Sequence, residues 1–581
     1  MNILIERGII DMKQKLTLLL ALLLVLSLTG LASLAESEGG LSEPGVLPIW
    51  TGDEPYVLTV LIAENAYVSD YDDNVYTKWI EESCNVDLQF VYLPEADAGE
   101  KLNIMVNTGE ELPDIVVHGL DVATAYSYGE AGAFIDLSEY YERGLAVNVS
   151  KAVEEFPDWN LLSNITNYDG SIYAVPKIQA SPSNETKYKL WINQTYLDNL
   201  GLDMPTTTDE FYEMLVAFRD QDANGNGDPN DELPLLGSSS WGGSPVKFLT
   251  NAFVHEGDND MWMLQDGHVT ASYIQDAWFD ACDYMKKLCD EGLLLPESFT
   301  YGRPDITAVA ANENNLVGCL FDSSLGFFGN EGTPEYEARL RYVCCDPLIG
   351  PDGVQTVAYA QSTTNCQWFV TSSCEQPELA FRVGDFQFSE EAFLLGRYGV
   401  EGENWMYTED YLKDHDVEVT ANYAALGFEP VYLVATTDDG AITEIFGTVQ
   451  NVNWYDKMPY FSGNVENEIG YISRLEDGTV IDGSVYHTIR QTEGTAVYQK
   501  YKPGPDVYCP SLNFTTEELE EIGEIRNTLK TFVNEQRTLY ITGMDSMLSD
   551  REAFLNELNA IGLERVLEVA DEAYQRQYVN N

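Results

Sequence analysis

Basic side chains are scarce in this 581-residue chain: 31 Lys+Arg stand against 96 Asp+Glu, a formal net charge of −65. A nucleic-acid partner needs clustered cations to displace counterions from phosphates, so the composition excludes DNA and RNA and disfavours polyanionic substrates. Histidine is rare as well, with five in total, and no GxSxG elbow, HExxH pair or GxxxxGK[ST] loop occurs. The chain therefore lacks the signatures of the serine hydrolases, the zincins and the P-loop enzymes. Among 96 acids two will lie at glycosidase separations by chance, so paired carboxylates carry no diagnostic weight. The nine cysteines form no CxxC pair, which removes the zinc-ribbon and thioredoxin-like motifs. Cys282 and Cys289 fall seven apart on one helical stretch, with Cα atoms ~10 Å apart, beyond disulfide reach. Cys366 and Cys374 either meet across a strand and turn or stay packed as free thiols.

No apolar run long enough to span a bilayer occurs beyond Ala35. Before it, Lys13 and Lys15 precede an apolar run from Leu16 to Leu28, and small residues end at Ala32-Ser33-Leu34-Ala35. This is the pattern of an export signal, and Met12 offers a second start. A lipoprotein signal would place a Cys just after the apolar run, but Leu28-Thr29-Gly30-Leu31 stands there and the first Cys is Cys84. Glu36 to Thr51, rich in Gly, Ser, Pro and Glu, reads as a tether.

The remainder is rich in core-forming residues, 44% hydrophobic and 12% aromatic, far from the composition of disordered chains. Tyr56 to Ile62 and Val86 to Val91 read as buried strands, with a helical pattern at Thr77 to Ser83 between them. A helix at Lys101 to Val106 and a strand at Pro113 to Val117 follow. This β-α-β-α-β rhythm predicts a parallel sheet covered by helices, with ligands at the carboxyl ends of its strands, here Ala63-Glu64-Asn65 and His118 to Asp121. Thr207 and Glu210 form a capping box that opens an amphipathic helix through Phe211, Met214, Leu215 and Phe218. Trp278 to Leu288 reads as another helix, ending at Gly292, and the C-terminus as helices over Thr516 to Phe532 and Arg551 to Tyr578.

Directly after the capped helix runs Asp220-Gln-Asp222-Ala-Asn224-Gly-Asn226-Gly-Asp228-Pro-Asn230-Asp231-Glu232. Alternating Asp and Asn with intervening glycines lets hard oxygens converge on Ca²⁺. Counted from Asp222, position 12 is Leu233 rather than the bidentate Glu of an EF-hand; counted from Asp220, it is Asp231. The alternative is an acidic Asx/Gly turn with no metal. Three tryptophans stand beside small polar residues: Trp241 after Ser239-Ser240, Trp368 after Asn365-Cys366-Gln367, and Trp405 after Glu403-Asn404. An indole face suits the C–H face of a sugar ring, and Trp is equally a core residue.

Lys101 to Val106, Leu112-Pro-Asp-Ile115, Gly132 to Ser138, Tyr168 to Pro176 and Leu190 to Leu202 together resemble extracellular solute-binding proteins of the family 1 type. The likeness continues through Pro205 to Glu210, the Asp/Asn/Gly loop, Asp290 to Phe299 and Arg397 to Gly402, and so covers nearly the whole mature chain. It implies an α/β two-lobe, periplasmic-binding-protein-like fold of type II, with a hinge, a helical C-terminus and a sugar or oligosaccharide in the cleft. It also implies partner permease subunits of an ABC importer. The loop resembles that of the calcium-containing alginate-binding receptors, which carries structural Ca²⁺ ligation onto Asp222, Asn224, Asn226, Asp228, Asp231 and Glu232. The strong negative charge argues for a neutral sugar over a polyuronate.

The resulting division is 1–35 export signal, 36–52 tether, 53–175 first lobe and 176–365 second lobe with the loop at 220–232. Residues 366–581 then hold the hinge return, the remaining lobe segments and the C-terminal helices. Trp241, Trp368 and Trp405 are the candidate stacking residues, with Glu64, Asn65, Asp121, Asn365 and Glu403 as polar partners. The expected protein is an exported, monomeric binding protein rather than an enzyme. A peptide receptor of the same fold and a secreted carbohydrate-active enzyme are the alternatives.

Overall fold

The computed structural model describes residues 40–580 apart from 66–67, 158–160, 180–181, 241, 258–259, 326–337, 362–363, 415–430, 437–451, 455–456, 464–468, 475–479 and 482–493. The predicted export signal lies outside the described residues. Among the described residues, no helix is long and apolar enough to cross a membrane.

The first sheet is built on β1 (Tyr56–Ala63), β2 (Val86–Leu93) and β3 (Ile115–Leu120), which pair in parallel as the sequence rhythm predicts. Helices Val75–Cys84 and Ala98–Thr108 make the crossovers. Two further strands join antiparallel, so the sheet is mixed. They are β4 (Ala174–Ile178) and, far along the chain, β11 (Thr364–Val370), giving the order β2-β1-β3-β11-β4. Leu58, Val60 and Ile62 face one core, whereas Leu61 and Ala63 face a second on the other side. Such two-sided burial explains the unbroken apolar run in the sequence.

The second sheet has the order β10-β5-β9-β6, from β5 (Leu190–Asn193), β6 (Leu233–Leu236), β9 (Val317–Phe321) and β10 (Tyr342–Cys345). It too is buried on both faces, with Ile192 and Phe321 on one side and Trp191 and Leu320 on the other. The capping box is formed: Glu210 N donates to Thr207 Oγ1, and Glu210 Oε2 accepts from Thr207 N.

A third body is helical. Helices Thr516–Ile541, Arg551–Ile561 and Leu563–Tyr574 pack on helix Asp276–Asp290 and on the hairpin of β7 (Trp262–Gln265) and β8 (His268–Ala271). The single helix expected over Arg551 to Tyr578 is broken at Gly562, whose φ of 124° is open to glycine but strained for other residues. Glu256 fastens this body to the second lobe. Its fully buried carboxylate accepts from Arg537 Nη1 at 2.7 Å and Trp278 Nε1 at 2.9 Å and lies 3.1 Å from Lys247 Nζ. Burial pushes this carboxyl up, but Arg537 and Lys247 outweigh burial and hold it down at about 2.

One expectation changes, and one open alternative is decided. Gly40 to Thr51 is no free tether: Leu41 and Trp50 pair, Ile49 is buried, and Arg382 donates to Ser42 O and Glu43 O. Ile49 and Trp50 supply the apolar surface that a spacer would lack. All nine cysteines are free thiols, Cys366 and Cys374 included.

Candidate ligand-binding site

Strand direction decides which residues meet. Because β1 and β3 run parallel, Ala63 and Leu120 end at one edge of the first sheet, and antiparallel β11 starts there with Cys366 opposite Leu120 and Asn365 opposite Lys177. Glu64, Asn65, Asp121 and Asn365 therefore gather along this rim. Glu64 and Asp121 are exposed, Asn365 is half-buried and Asn65 is buried. Asp121 already has a structural duty: it caps helix Val122–Glu130, accepting from Thr124 N and Thr124 Oγ1 at 2.8 Å each. His118 lies on the same strand end, where burial lowers its pKa and Lys457 lowers it further. The chain leaves the first sheet at Ile178 and re-enters at Thr364 along this rim, so it faces the second lobe.

The opposing rim is the end of parallel strands β6 and β9. Asp322, next after β9, is buried. Its Oδ1 accepts from Ser324 N and Leu325 N at 3.0 and 3.1 Å, and Oδ2 lies 3.6 Å from Arg303. Burial raises the Asp322 pKa, against the pull of those N–H groups and Arg303. Gly242, with φ of 76°, presses the preceding loop onto this rim: a Cβ there would stand 2.7 Å from Ser323 N and 2.9 Å from Lys187 O. Its neighbour Trp241 lies outside the described residues. Arg303 and Asp322 were not foreseen, because only tertiary pairing brings a helix start to a strand end.

Two of the expected stacking residues are core residues instead. Trp368 is fully buried, with Nε1 donating to Ala380 O at 3.0 Å. Its ring fills the space where a side chain on Gly384 would sit, since a Cβ there would be 2.6 Å from Trp368 Cδ1. Trp405, 7% exposed, donates to Gly399 O and packs edge-on against Tyr407 and Tyr432. Neither indole face is open to a sugar. Glu403 is exposed in the turn before Trp405.

The Asp/Asn/Gly loop sits at the start of β6, the end away from the rim. Asn224 Nδ2 and Asn226 Nδ2 donate to the two oxygens of Asp231 at 2.9 and 2.7 Å, and Gly227 N donates to Asp222 Oδ2. Asn226 Oδ1 accepts from Asp228 N, Asp228 Oδ1 from Asn230 N, and Glu232 Oε1 from Ala223 N. Asp222 Oδ1 and Glu232 Oε2 are buried with no hydrogen-bond partner. Among the described residues, no three His, Cys, Asp or Glu side chains stand close enough to form a metal cluster. Two orphaned carboxylate oxygens in an oxygen-rich loop nevertheless fit a hard cation, because each lacks the donor that burial demands.

No family model matches the chain. The chain is 23% identical over 497 residues to the fructooligosaccharide ABC transporter substrate-binding protein FusA of Streptococcus pneumoniae, covering 84% of both. It superposes on an extracellular solute-binding protein from Bifidobacterium longum subsp. infantis with a TM-score of 0.70 at 19% identity, covering 91% of this chain and 99% of that one. With an EF-hand mutant of FusA in complex with fructo-nystose, the TM-score is 0.63 at 20% identity, over 90% and 100% of the two chains. The chain has the fold of the extracellular solute-binding proteins.

In this fold the lobes are joined where the chain passes between the sheets. Glu185, on the first pass, is the common partner. Its backbone oxygen accepts from Ala360 N on the second pass, and its Oε2 accepts from Lys502 Nζ at 2.8 Å and Gln499 Nε2 at 3.3 Å. Tyr498 does similar work: its hydroxyl accepts from Leu190 N at 3.0 Å and donates to Cys345 O at 2.9 Å. Sequence spacing carries no sign of this cluster, in which Glu185 and Lys502 lie 317 residues apart.

Proposed function

We propose that this solute-binding protein is the substrate-binding component of an ABC importer, holding a neutral oligosaccharide between the two rims and presenting it to a permease. The observation that carries the reading is the pair of opposed strand-end rims with the chain passes beside them, in a chain aligned over 84% of its length with a fructooligosaccharide receptor. Asn65, Asn365, Asp322 and Arg303 supply hydroxyl partners on both lobes, and Trp241, adjoining Gly242, supplies a ring face. A ligand touching both rims stabilises the closed arrangement over the open one, and no bond is made or broken. Export brings the protein to the cell surface, where it acts as a monomer.

The same reading assigns Ca²⁺ to the loop, held by Asp222, Asn224, Asn226, Asp228, Asp231 and Glu232. The cation would neutralise the carboxylates and fix the path from helix Thr208–Asp220 into β6. It lies away from the rim and so serves stability. Isothermal titration against kestose, nystose and malto-, xylo- and manno-oligosaccharides, with the sugar then recovered, tests the function. Micromolar binding with intact sugar supports a receptor; cleaved sugar would instead show an enzyme, and binding to peptides alone a peptide receptor.

A further inference from the structure

A cavity of about 210 Å³ lies beside the hinge, walled by Trp262, Tyr359, Tyr508 and Phe514 and floored by Asp260 and Arg526. None of these six residues belongs to the rims. Tyr359 and Tyr508 meet edge to face at 4.7 Å. The Arg526 guanidinium lies 5.0 Å from the Trp262 ring centre and 4.8 Å from that of Phe514, and its Nη2 donates to Asp260 Oδ2 at 2.9 Å. Arg526 Nε is buried and has no acceptor. The Tyr508 oxygen accepts from Gln361 N at 3.1 Å, a bond that does not use the hydroxyl proton.

The chemistry points to an uncharged polyol. Asp260 already neutralises Arg526, so an anion would gain little there, and the acidic chain repels it from a distance. A hydroxyl group both donates and accepts, which matches a carboxylate beside a guanidinium, and aromatic walls match the C–H faces of a sugar. The volume has room for a sugar ring. Gln361, in the cavity wall, precedes Asn365 of the first rim by four residues, a span of at most ~14 Å. A short oligosaccharide bridges that distance.

We propose that this cavity is a hinge-side subsite that takes one neutral monosaccharide unit at the end of a bound oligosaccharide. It rests on the receptor reading above. Since its walls join Tyr359 of the second chain pass to Trp262 of the β7 hairpin and to Tyr508, an occupied subsite ties ligand length to the hinge.

The test is isothermal titration of the full mature chain, as wild type, Arg526→Gln and Asp260→Asn, against kestose, nystose and malto-, xylo- and manno-oligosaccharides of two to five units. The expected result is a loss of tenfold or more for the longest ligand of the series that binds wild type, with unchanged affinity for the shortest and a wild-type Tm. Wild-type affinity in both variants, or an equal loss at every length accompanied by a lower Tm, would overturn the subsite alone. Failure of every sugar to bind wild type would remove the receptor reading and the subsite with it. If Arg526→Gln does not fold, Asp260→Asn decides, because it keeps the volume and removes only the charge.

Discussion

Lys502 donates to Glu185 Oε2 at 2.8 Å across the hinge, and its ammonium lies 4.7 Å from the centre of the Tyr359 ring. The carboxylate is 1% exposed and the ammonium 32%, so the pair is shielded from one side only. Its value lies less in attraction than in what is left when it is broken: a buried carboxylate with fewer donors.

Lys502→Met keeps the apolar stem and removes the charge. Unfolding free energy should fall by about 1–3 kcal/mol, and the ligand-free protein should scatter X-rays as a more open particle, since the segment that carries Lys502 loses its charged tie to Glu185 on the first pass. Urea titration and solution scattering check this. An unchanged midpoint together with an unchanged radius of gyration would show that the brace carries no load.

Trp368→Ala should cost about 3–5 kcal/mol, as a large indole leaves a void against Gly384 and abandons Ala380 O. In whatever fraction remains folded, sugar affinity should equal wild type. Weakened binding without lost stability would restore Trp368 to the binding surface and contradict its burial.

These residues also mark what could be read from one sequence. The β-α-β-α-β order and the Thr207 capping box were legible because local periodicity and a three-residue spacing encode them. The Asp/Asn/Gly loop was legible for the same reason. Trp368 carried a usable warning: Cys366 to Val370 is almost unbroken in apolar character, the mark of a strand buried on both faces. Trp405 carried none, since its burial depends on Tyr432, which meets it only through strand pairing. The mixed first sheet, the Asp322–Arg303 rim and the hinge cluster were illegible, because each joins segments whose meeting is set by packing.

His255 gives a pH signature. Its ring is buried beside Glu256 and Lys247, and Nδ1 lies 3.2 Å from Asn251 Oδ1. Burial lowers its pKa to about 4; Glu256 opposes this, while Lys247 adds to it. The unfolded chain, titrating near 6.5, then binds more protons than the folded one between pH 6.5 and 4, so stability is full above 6.5 and falls as pH drops through that window. His255→Phe should flatten the slope there. An identical pH dependence in variant and wild type would assign the slope to other groups.

Calcium should raise the thermal midpoint and EDTA should lower it. At a hundredfold excess over Kd the linkage amounts to about 2.7 kcal/mol. Glu232→Gln retains an acceptor for Ala223 N yet removes the charge, so the variant should fold, respond at least tenfold more weakly to calcium and bind sugar normally in the cold. Indifference of the wild-type midpoint to both calcium and EDTA would reduce the loop to an Asx/Gly turn.

Gly242 and Trp241 separate scaffold from contact. At Gly242 the backbone is left-handed and the space beyond Cα is occupied by Ser323 N and Lys187 O, both backbone atoms that cannot swing aside. Gly242→Ala must therefore lift the loop from the second rim, lowering stability by about 1–3 kcal/mol and sugar affinity with it. Trp241→Ala changes no backbone requirement, so it should leave the melting temperature within a degree or two while weakening binding tenfold or more if the indole meets a sugar face. Loss of affinity in the glycine variant alone would make the loop a wall of the cleft with no stacking role. Loss in neither would move the second-lobe contact to Asp322 and Arg303.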